Sequence, residues 1–525
     1  MAGAEQPVRR VTIVGGGTAG WMTAAVLSQW LSKVEIRLIE SDEIGTIGVG
    51  EATIPHIRNF LSLAGIDPLK MISESKATFK LGIQFVDWGA PGESYVHGFG
   101  KIGRDMLWLH PHQLWLAARA RNPDAVSSFD AYAINCVASL KNRFAFPDAR
   151  NGNSPLASIE YAYHFDASLF ARFLRSESEA RGVQRVEGRI VEVVQEAHSG
   201  FVRKVRLADG REVEGDLFID CSGMRALLIG DALGIGYESW KQWLLCDRAQ
   251  AVPCASVSPV TPYTRSTARK SGWQWRIPLQ HRIGNGYVYS SDLLSDGEAA
   301  EILLANLDGQ AMADPRPVRF APGRRLKSWD KNVIAIGLSS GFLEPLESTS
   351  IHLIQTAILR LLGIFPSLGF SEADVAEYNR QSRFEYEDVR DFIIAHYKVT
   401  RRTGDPFWDH VREMDVPDSL KERFALFRSS GRFFKHGAAE LFAEESWVQV
   451  LIGQGFDMHA DPVTEFVDDE TLFDYLRDIA ETIEEVAEGL PDHGELVRQL
   501  PAGTPAGQPG ATPDVSFNIS YERRH

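Results

Sequence analysis

An α/β fold organised on a dinucleotide-binding unit is predicted by three features of the chain. Val11-Thr12-Ile13-Val14 is a run of β-branched residues that reads as a buried parallel strand, and it passes directly into Gly15-Gly16-Gly17-Thr18-Ala19-Gly20. A helix over Ala19 to Leu31 and a second apolar strand over Val34 to Ile39 follow, ending at Glu40, 20 residues beyond Gly20. Two later apolar strands, Leu217 to Asp220 and Val333 to Ile336, each end in a turn of small residues. Together they predict a Rossmann-like α/β domain.

Each part of the first unit has a physical task. The glycines let the backbone turn sharply, approach a pyrophosphate and pack the helix against the strand. The helix N-terminus offers unpaired N–H groups and positive dipole to phosphate. A carboxylate at the end of the second strand suits a ribose hydroxyl. Gly15, Gly17, Thr18, Ala19, Gly20 and Glu40 are therefore candidate cofactor contacts.

Composition bounds the rest. A chain of 525 residues is long for a single core, and 44% hydrophobic with 24% charged residues is ordinary globular composition. Three parts are expected: a discontinuous nucleotide-binding module over 1–365 with an inserted β-sheet, a mainly helical region over 366–500, and a Gly, Pro, Ala and Thr rich tail over 501–525 that reads as disordered. The net charge of −15 argues against nucleic acid and against an anionic membrane surface as partners. Cys136, Cys221, Cys246 and Cys254 lack metal-site spacing, and with no secretory h-region they read as reduced, buried thiols of a cytoplasmic protein. No apolar run is long and uncharged enough to span a bilayer.

Beyond Glu40 the stretch Ile47 to Pro55 reads as a glycine-bracketed loop, and Gly50, Ala52 and Thr53 suit close backbone approach to a flat ring. Thr78 to Val86 alternates like one half-buried strand. By that pattern alone Lys80 is a solvated lysine. Tyr95 to Gly100, holding His97 and Phe99, fits a pocket wall or a surface hairpin equally well. Tyr161 to Asp166 leads into a helix over Ala167 to Ala180, and short strands over Val186 to Val194 and Gly200 to Gly215 suggest an inserted meander. Asp220 and Ser222 fit caps of the turn after their strand.

The strand Ser271 to Leu279 puts Trp273 and Trp275 on one face, an arrangement that core packing also produces. Gly337 and Leu338 open the turn after the Val333 strand and join the cofactor-contact set. Glu347 precedes Ser348-Thr349-Ser350 at the start of a helix whose Ile351, Ile354, Ile358 and Leu361 share a face. That run suits helix capping or, through free backbone N–H groups, a small anion. Ser371 to Arg402, Pro417 to Phe427 and Asp469 to Glu488 read as helices, the last as a solvated acidic one.

Taken in order, these stretches resemble the flavin-dependent tryptophan halogenase family over about Val11 to Phe456. Gly15-Gly16-Gly17-Thr18-Ala19-Gly20-Trp21 is similar to the family's FAD fingerprint. Trp273-x-Trp275-x-Ile277-Pro278 matches its WxWxIP signature, and Phe79-Lys80 and Pro345-Leu346-Glu347-Ser348-Thr349 match its catalytic lysine and glutamate segments. The resemblance implies an FAD-binding fold of the flavin monooxygenase type. It also implies reduced FAD delivered by a separate NAD(P)H flavin reductase, a C4a-hydroperoxide formed with O2, and chloride or bromide oxidised to hypohalous acid. That oxidant would pass through a tunnel to Lys80, with Glu347 stabilising the cationic ring intermediate or taking its proton. Thr349 and Ser350 would hold halide on their N–H groups, while Trp273, Trp275, Ile277 and Pro278 line the tunnel. His97, Phe99 and Trp447 are candidate ring contacts. A monomer or homodimer is expected, and a flavin-dependent monooxygenase on the same fold is the alternative.

One departure bears on substrate. Family members acting on free tryptophan carry a tyrosine pair and a glutamate near the C-terminal end that grip the amino acid head group. Here the region reads Arg432-Phe433-Phe434-Lys435-His436 and Glu440-Leu441-Phe442-Ala443-Glu444-Glu445-Ser446-Trp447, without a Tyr-Tyr pair. Burying a zwitterion without those partners is costly. The expected substrate is therefore indole or another electron-rich aromatic, with free tryptophan poor.

Overall fold

The computed structural model describes residues 7–43, 50–148, 150, 152, 154–366, 369–437 and 439–500. Ile47 to Val49 of the glycine-bracketed loop and the 501–525 tail lie outside the described residues. The central sheet has the strand order Trp329–Asp330, Val333–Ala335, Leu217–Asp220, Arg10–Val14, Glu35–Glu40 and Gln184–Glu187. All its pairings are parallel except the first, at the edge. Val11 lies between Leu217 and Ile36 in register, so the β-branched run occupies the middle of the sheet, covered on both faces. The helix Thr18–Trp30 packs on it, burying Trp21, Met22, Ala25 and Val26.

Inserted between the halves of this sheet is a second one. Its order is Arg316–Arg319, Arg248–Cys254, Ile283–Tyr289, Gly272–Pro278, Tyr263–Arg269, Gly82–Val86 and Ser94–Gly98. Gly82–Val86 pairs parallel with Tyr263–Arg269, and its other neighbour, Ser94–Gly98, runs antiparallel. A small third sheet joins Gly50–Ala52, Ala162–Asp166 and Thr78–Lys80. The chain from Glu372 onward is mainly helical, led by the long helix Glu372–Lys398. The helix Ser350–Gly363 buries Ile351, Ile354, Ile358 and Leu361 as its spacing predicts, each contributing roughly 1.5–3 kcal/mol of transfer free energy.

Four readings of the chain are corrected. From Gly50 the expected glycine-bracketed loop is instead a strand, Gly50–Ala52, paired with Ala162–Asp166. Thr78 to Val86 is two strands in two sheets, parted at Leu81, whose N–H donates to Pro262 outside either sheet. Lys80 is wholly buried, since the parity rule assumes one solvated face and this strand has none. The acidic helix Asp469–Glu488 is only half solvated: Leu472, Leu476, Ile483 and Ala487 are buried. All four cysteines are free and buried, and no helix among the described residues is long and apolar enough to cross a membrane.

Candidate active site

The turn after the first strand leaves a cradle for a dinucleotide. Gly15 has φ +113°, and a Cβ there would stand 2.2 Å from the Cys221 carbonyl oxygen. Gly20 faces the Gly15 carbonyl so closely that a Cβ would come within 1.9 Å of its oxygen. Gly17 begins the helix with no side chain capping it and no acid in its first turn, so its N–H groups and dipole remain available to phosphate. Glu40 lines the same space, accepting from Trp21 Nε1 at 3.2 Å and pairing with Arg185 and Arg175.

A single cavity of about 730 Å³ runs from this cradle past Gly50, Ala52 and Leu338 to Trp273, Trp275, Ile277, Glu347, Ser348 and Ser350. Its first end has the glycines, open helix N-terminus and carboxylate that an FAD pyrophosphate and ribose need, so the residues present fit that group. Gly337, with φ +76°, packs beneath it against Ala19. Thr53 and Pro278 stand behind the wall: the Thr53 hydroxyl donates to the Tyr163 carbonyl at 2.7 Å, and the Pro278 carbonyl accepts from Thr78 at 2.7 Å.

At the far end, the strand Thr78–Lys80 aims its lysine inward. The Lys80 Nζ donates to the Thr53 carbonyl at 3.0 Å and to Ser348 Oγ at 2.9 Å, and lies 5.2 Å from the Phe99 ring centre. Burial pushes its pKa down from 10.5 to about 7, with the nearby Glu347 charge opposing the shift. The strand is pinned on both sides. Thr78 Oγ1 bonds His164 Nδ1 at 3.2 Å, and the Phe79 N–H donates to His493 Nε2 at 3.2 Å.

Glu347 sits in a strained turn. Its φ is 65° and that of Ser348 is 60°, a left-handed pair that costs about 1–3 kcal/mol per residue unless surroundings impose it. Here they do. Glu347 contacts His97 Nδ1 at 2.9 Å and His396 Nε2 at 2.9 Å, while Ser348 receives Lys80. Burial alone would raise the Glu347 carboxyl, but the two histidines together hold it well below the usual carboxylate range. Hydrogen-bond geometry assigns the protons: His396 Nδ1 faces the Phe392 carbonyl at 2.8 Å and must donate to it. Its Nε2 lies 2.9 Å from Glu347 Oε1. The helix Ser350–Gly363 starts immediately afterwards with no side-chain cap, leaving the Thr349 and Ser350 amides at an open N-terminus.

Trp273 and Trp275 stand with ring centres 6.2 Å apart on the cavity wall. Trp447 is buried among Phe392, Phe427 and Phe433, with the Arg423 guanidinium 4.5 Å from its ring centre.

Comparison with known proteins agrees with this geometry. The profile described as Tryptophan halogenase matches residues 10–469. The chain belongs to the tryptophan halogenase family. This halogenase is 33% identical over 544 residues to tryptophan 6-halogenase ThaL of Streptomyces albogriseolus, covering 94% of this chain and 99% of that protein. It is 36% identical over 446 residues to tryptophan 7-halogenase RebH of Lentzea aerocolonigenes, covering 80% and 82%. Two solved structures are similar throughout. Xcc4156, a flavin-dependent halogenase from Xanthomonas campestris, has 48% identity and a TM-score of 0.91 over 95% of this chain and 100% of that one. BrvH, a flavin-dependent halogenase from Brevundimonas sp. BAL3, has 44% identity and a TM-score of 0.90 over 94% and 99%. The α/β flavoprotein fold and flavin-dependent halogenase activity follow from these matches.

Four polar residues of the halogenase escape a reading of its sequence. Ser348 and Glu344 lie inside the glutamate segment without a spacing of their own, and His396 and His493 are single histidines on helices, indistinguishable by pattern from satisfied core residues.

Proposed function

We propose that this halogenase installs chloride or bromide on indole or a related electron-rich aromatic that lacks a zwitterionic head group. What carries the reading is one cavity that runs from the glycine cradle to Glu347 and Ser348, with the buried Lys80 hydrogen-bonded to Ser348 at that end. Reduced FAD, delivered by a separate NAD(P)H flavin reductase, would with O2 supply the oxidising equivalents that turn halide into hypohalous acid. Gly15, Gly17, Thr18, Ala19, Gly20 and Glu40 would hold its pyrophosphate and ribose, and the Thr349 and Ser350 amides would hold the halide. Trp273 and Trp275 keep the arene away from the flavin end.

At the other end the Lys80 ammonium donates to the hypohalous oxygen, weakening the halogen–oxygen bond. The arene π electrons form the carbon–halogen bond, and the departing hydroxide leaves as water with the lysine proton. Glu347 stabilises the cationic ring and accepts the proton lost from the substituted carbon. His97, Phe99 and Trp447 enclose the ring.

The substrate end supports an uncharged partner. Phe442 stacks on Phe392, which packs against Trp447, at 3.8 Å between ring centres, and the buried Glu440 is paired with Arg423 at 3.2 Å. Incubating equimolar indole and free tryptophan with enzyme, FAD, a flavin reductase, NADH, O2 and bromide tests this by product mass. Brominated indole is expected to exceed brominated tryptophan by at least about tenfold, one unpaired charged group being worth that much. Tryptophan turning over better would overturn the substrate reading, and products gaining oxygen instead of bromine would favour the monooxygenase.

A further inference from the structure

The two tryptophans on the cavity wall differ in one respect. Trp273 Nε1 donates to Glu344 Oε1 at 3.1 Å, whereas Trp275 Nε1 is buried with no hydrogen-bond partner. Glu344 is 1% exposed and accepts a second hydrogen bond on the same oxygen from the Tyr397 hydroxyl, while its Oε2 has no partner. A carboxyl group used through one oxygen alone is doing the work of a carbonyl acceptor. Tyr397 follows His396 on the helix Glu372–Lys398, and His396 holds Glu347. The segment 344–348 is thus tied to that helix by two adjacent rungs, Glu344 to Tyr397 and Glu347 to His396.

We propose that Glu344 is a positioning residue for halogenation: through Oε1 it fixes the tilt of the Trp273 indole on the wall between the flavin and arene ends of the cavity. The proposal rests on the reading of Trp273 as part of that wall. Indole N–H groups buried in a core seek an acceptor, and a ring so anchored keeps one orientation where an unanchored one rocks. Removing the acceptor orphans Trp273 Nε1 and loosens the wall, so oxidant escapes or decays before it reaches Lys80. Charge is not required. Glutamine offers the same carbonyl oxygen to both donors.

The test is the yield of brominated indole per reduced flavin consumed, with hydrogen peroxide as the complementary product, in wild type, Glu344→Gln, Glu344→Met, Trp273→Phe and Tyr397→Phe. Glu344→Met is expected to lower the yield at least threefold, with peroxide rising to match and the KM for bromide unchanged. Glu344→Gln should restore the wild-type yield and the wild-type pH profile. Trp273→Phe should lower the yield as Glu344→Met does. If Glu344→Met does not fold, Tyr397→Phe, which removes one of the two bonds to Oε1, carries the test with a smaller loss, and a wild-type yield there overturns the proposal. It is also overturned if Trp273→Phe loses yield while Glu344→Met keeps it, or if Glu344→Gln is as poor as Glu344→Met. A wild-type yield in Trp273→Phe would instead refute the wall reading on which the proposal stands, and no brominated product in the wild type would refute the function.

Discussion

Lys80→Ala is expected to lower halogenation by roughly 10³-fold, at the level of losing a positioned proton donor, while reduced flavin and O2 are still consumed and end as hydrogen peroxide. The side chain is wholly buried and donates to Ser348 Oγ and the Thr53 carbonyl, so its removal leaves both acceptors without that donor. Product analysis with a peroxide assay checks this, and halogenation within tenfold of wild type would remove the lysine from the reaction. Its pH dependence has a definite sign. With the pKa lowered to about 7, the donor is the ammonium, present below that value and lost above it, so the halogenation rate should fall as pH rises through about 7.

Stability carries the opposite signature. Between about 7 and 10.5 the unfolded chain holds the Lys80 proton and the folded chain does not, so folding becomes more favourable as pH rises through that window. Lys80→Met should therefore raise the melting temperature at pH 7 and below, with the gain shrinking toward pH 10. Thermal melts of both proteins across that range measure it, and a gain that does not depend on pH would contradict the burial cost.

Glu347→Gln is expected to slow turnover by about 10²-fold and to leave a remnant, because the carboxylate assists substitution without carrying halogen. The amide keeps the shape of the turn but loses the charge that His97 and His396 now contact, and it presents an N–H group where a carboxylate oxygen stood. Flavin affinity and the position of halogenation should stay unchanged, since the glycine cradle lies at the other end of the cavity. Single-turnover product yield against flavin binding separates these effects, and an undiminished rate would take Glu347 out of the chemistry. His396→Asn would then be expected to weaken the reaction less than Glu347→Gln does, as it removes one of two supports.

Much of the scaffold was legible in the residues. The β-branched run, the glycine turn and the carboxylate at Glu40 are local signals, each set by covalent geometry or by a spacing of a few residues. The helix Ala167–Ala180 has the bounds its sequence predicts, because Asp166 caps it through the Ser168 and Leu169 amides. Where signals were not local, reading failed. Thr78 to Val86 looks like one strand because alternation carries no information on which sheet a residue joins, and the switch at Leu81 is set by distant partners, Ala162–Asp166 before it and Tyr263–Arg269 after it. Lys80 looked solvated for the same reason.

The chain by itself determined a nucleotide-binding α/β fold, and it marked Lys80, Glu347, Trp273 and Trp275 through motifs that resemble a family. Only the tertiary structure decided how those groups are charged and held. A pKa, a left-handed turn kept under load, or an indole fixed by Glu344 depends on burial and on atoms brought to hydrogen-bond distance from distant segments, and sequence spacing does not encode such encounters.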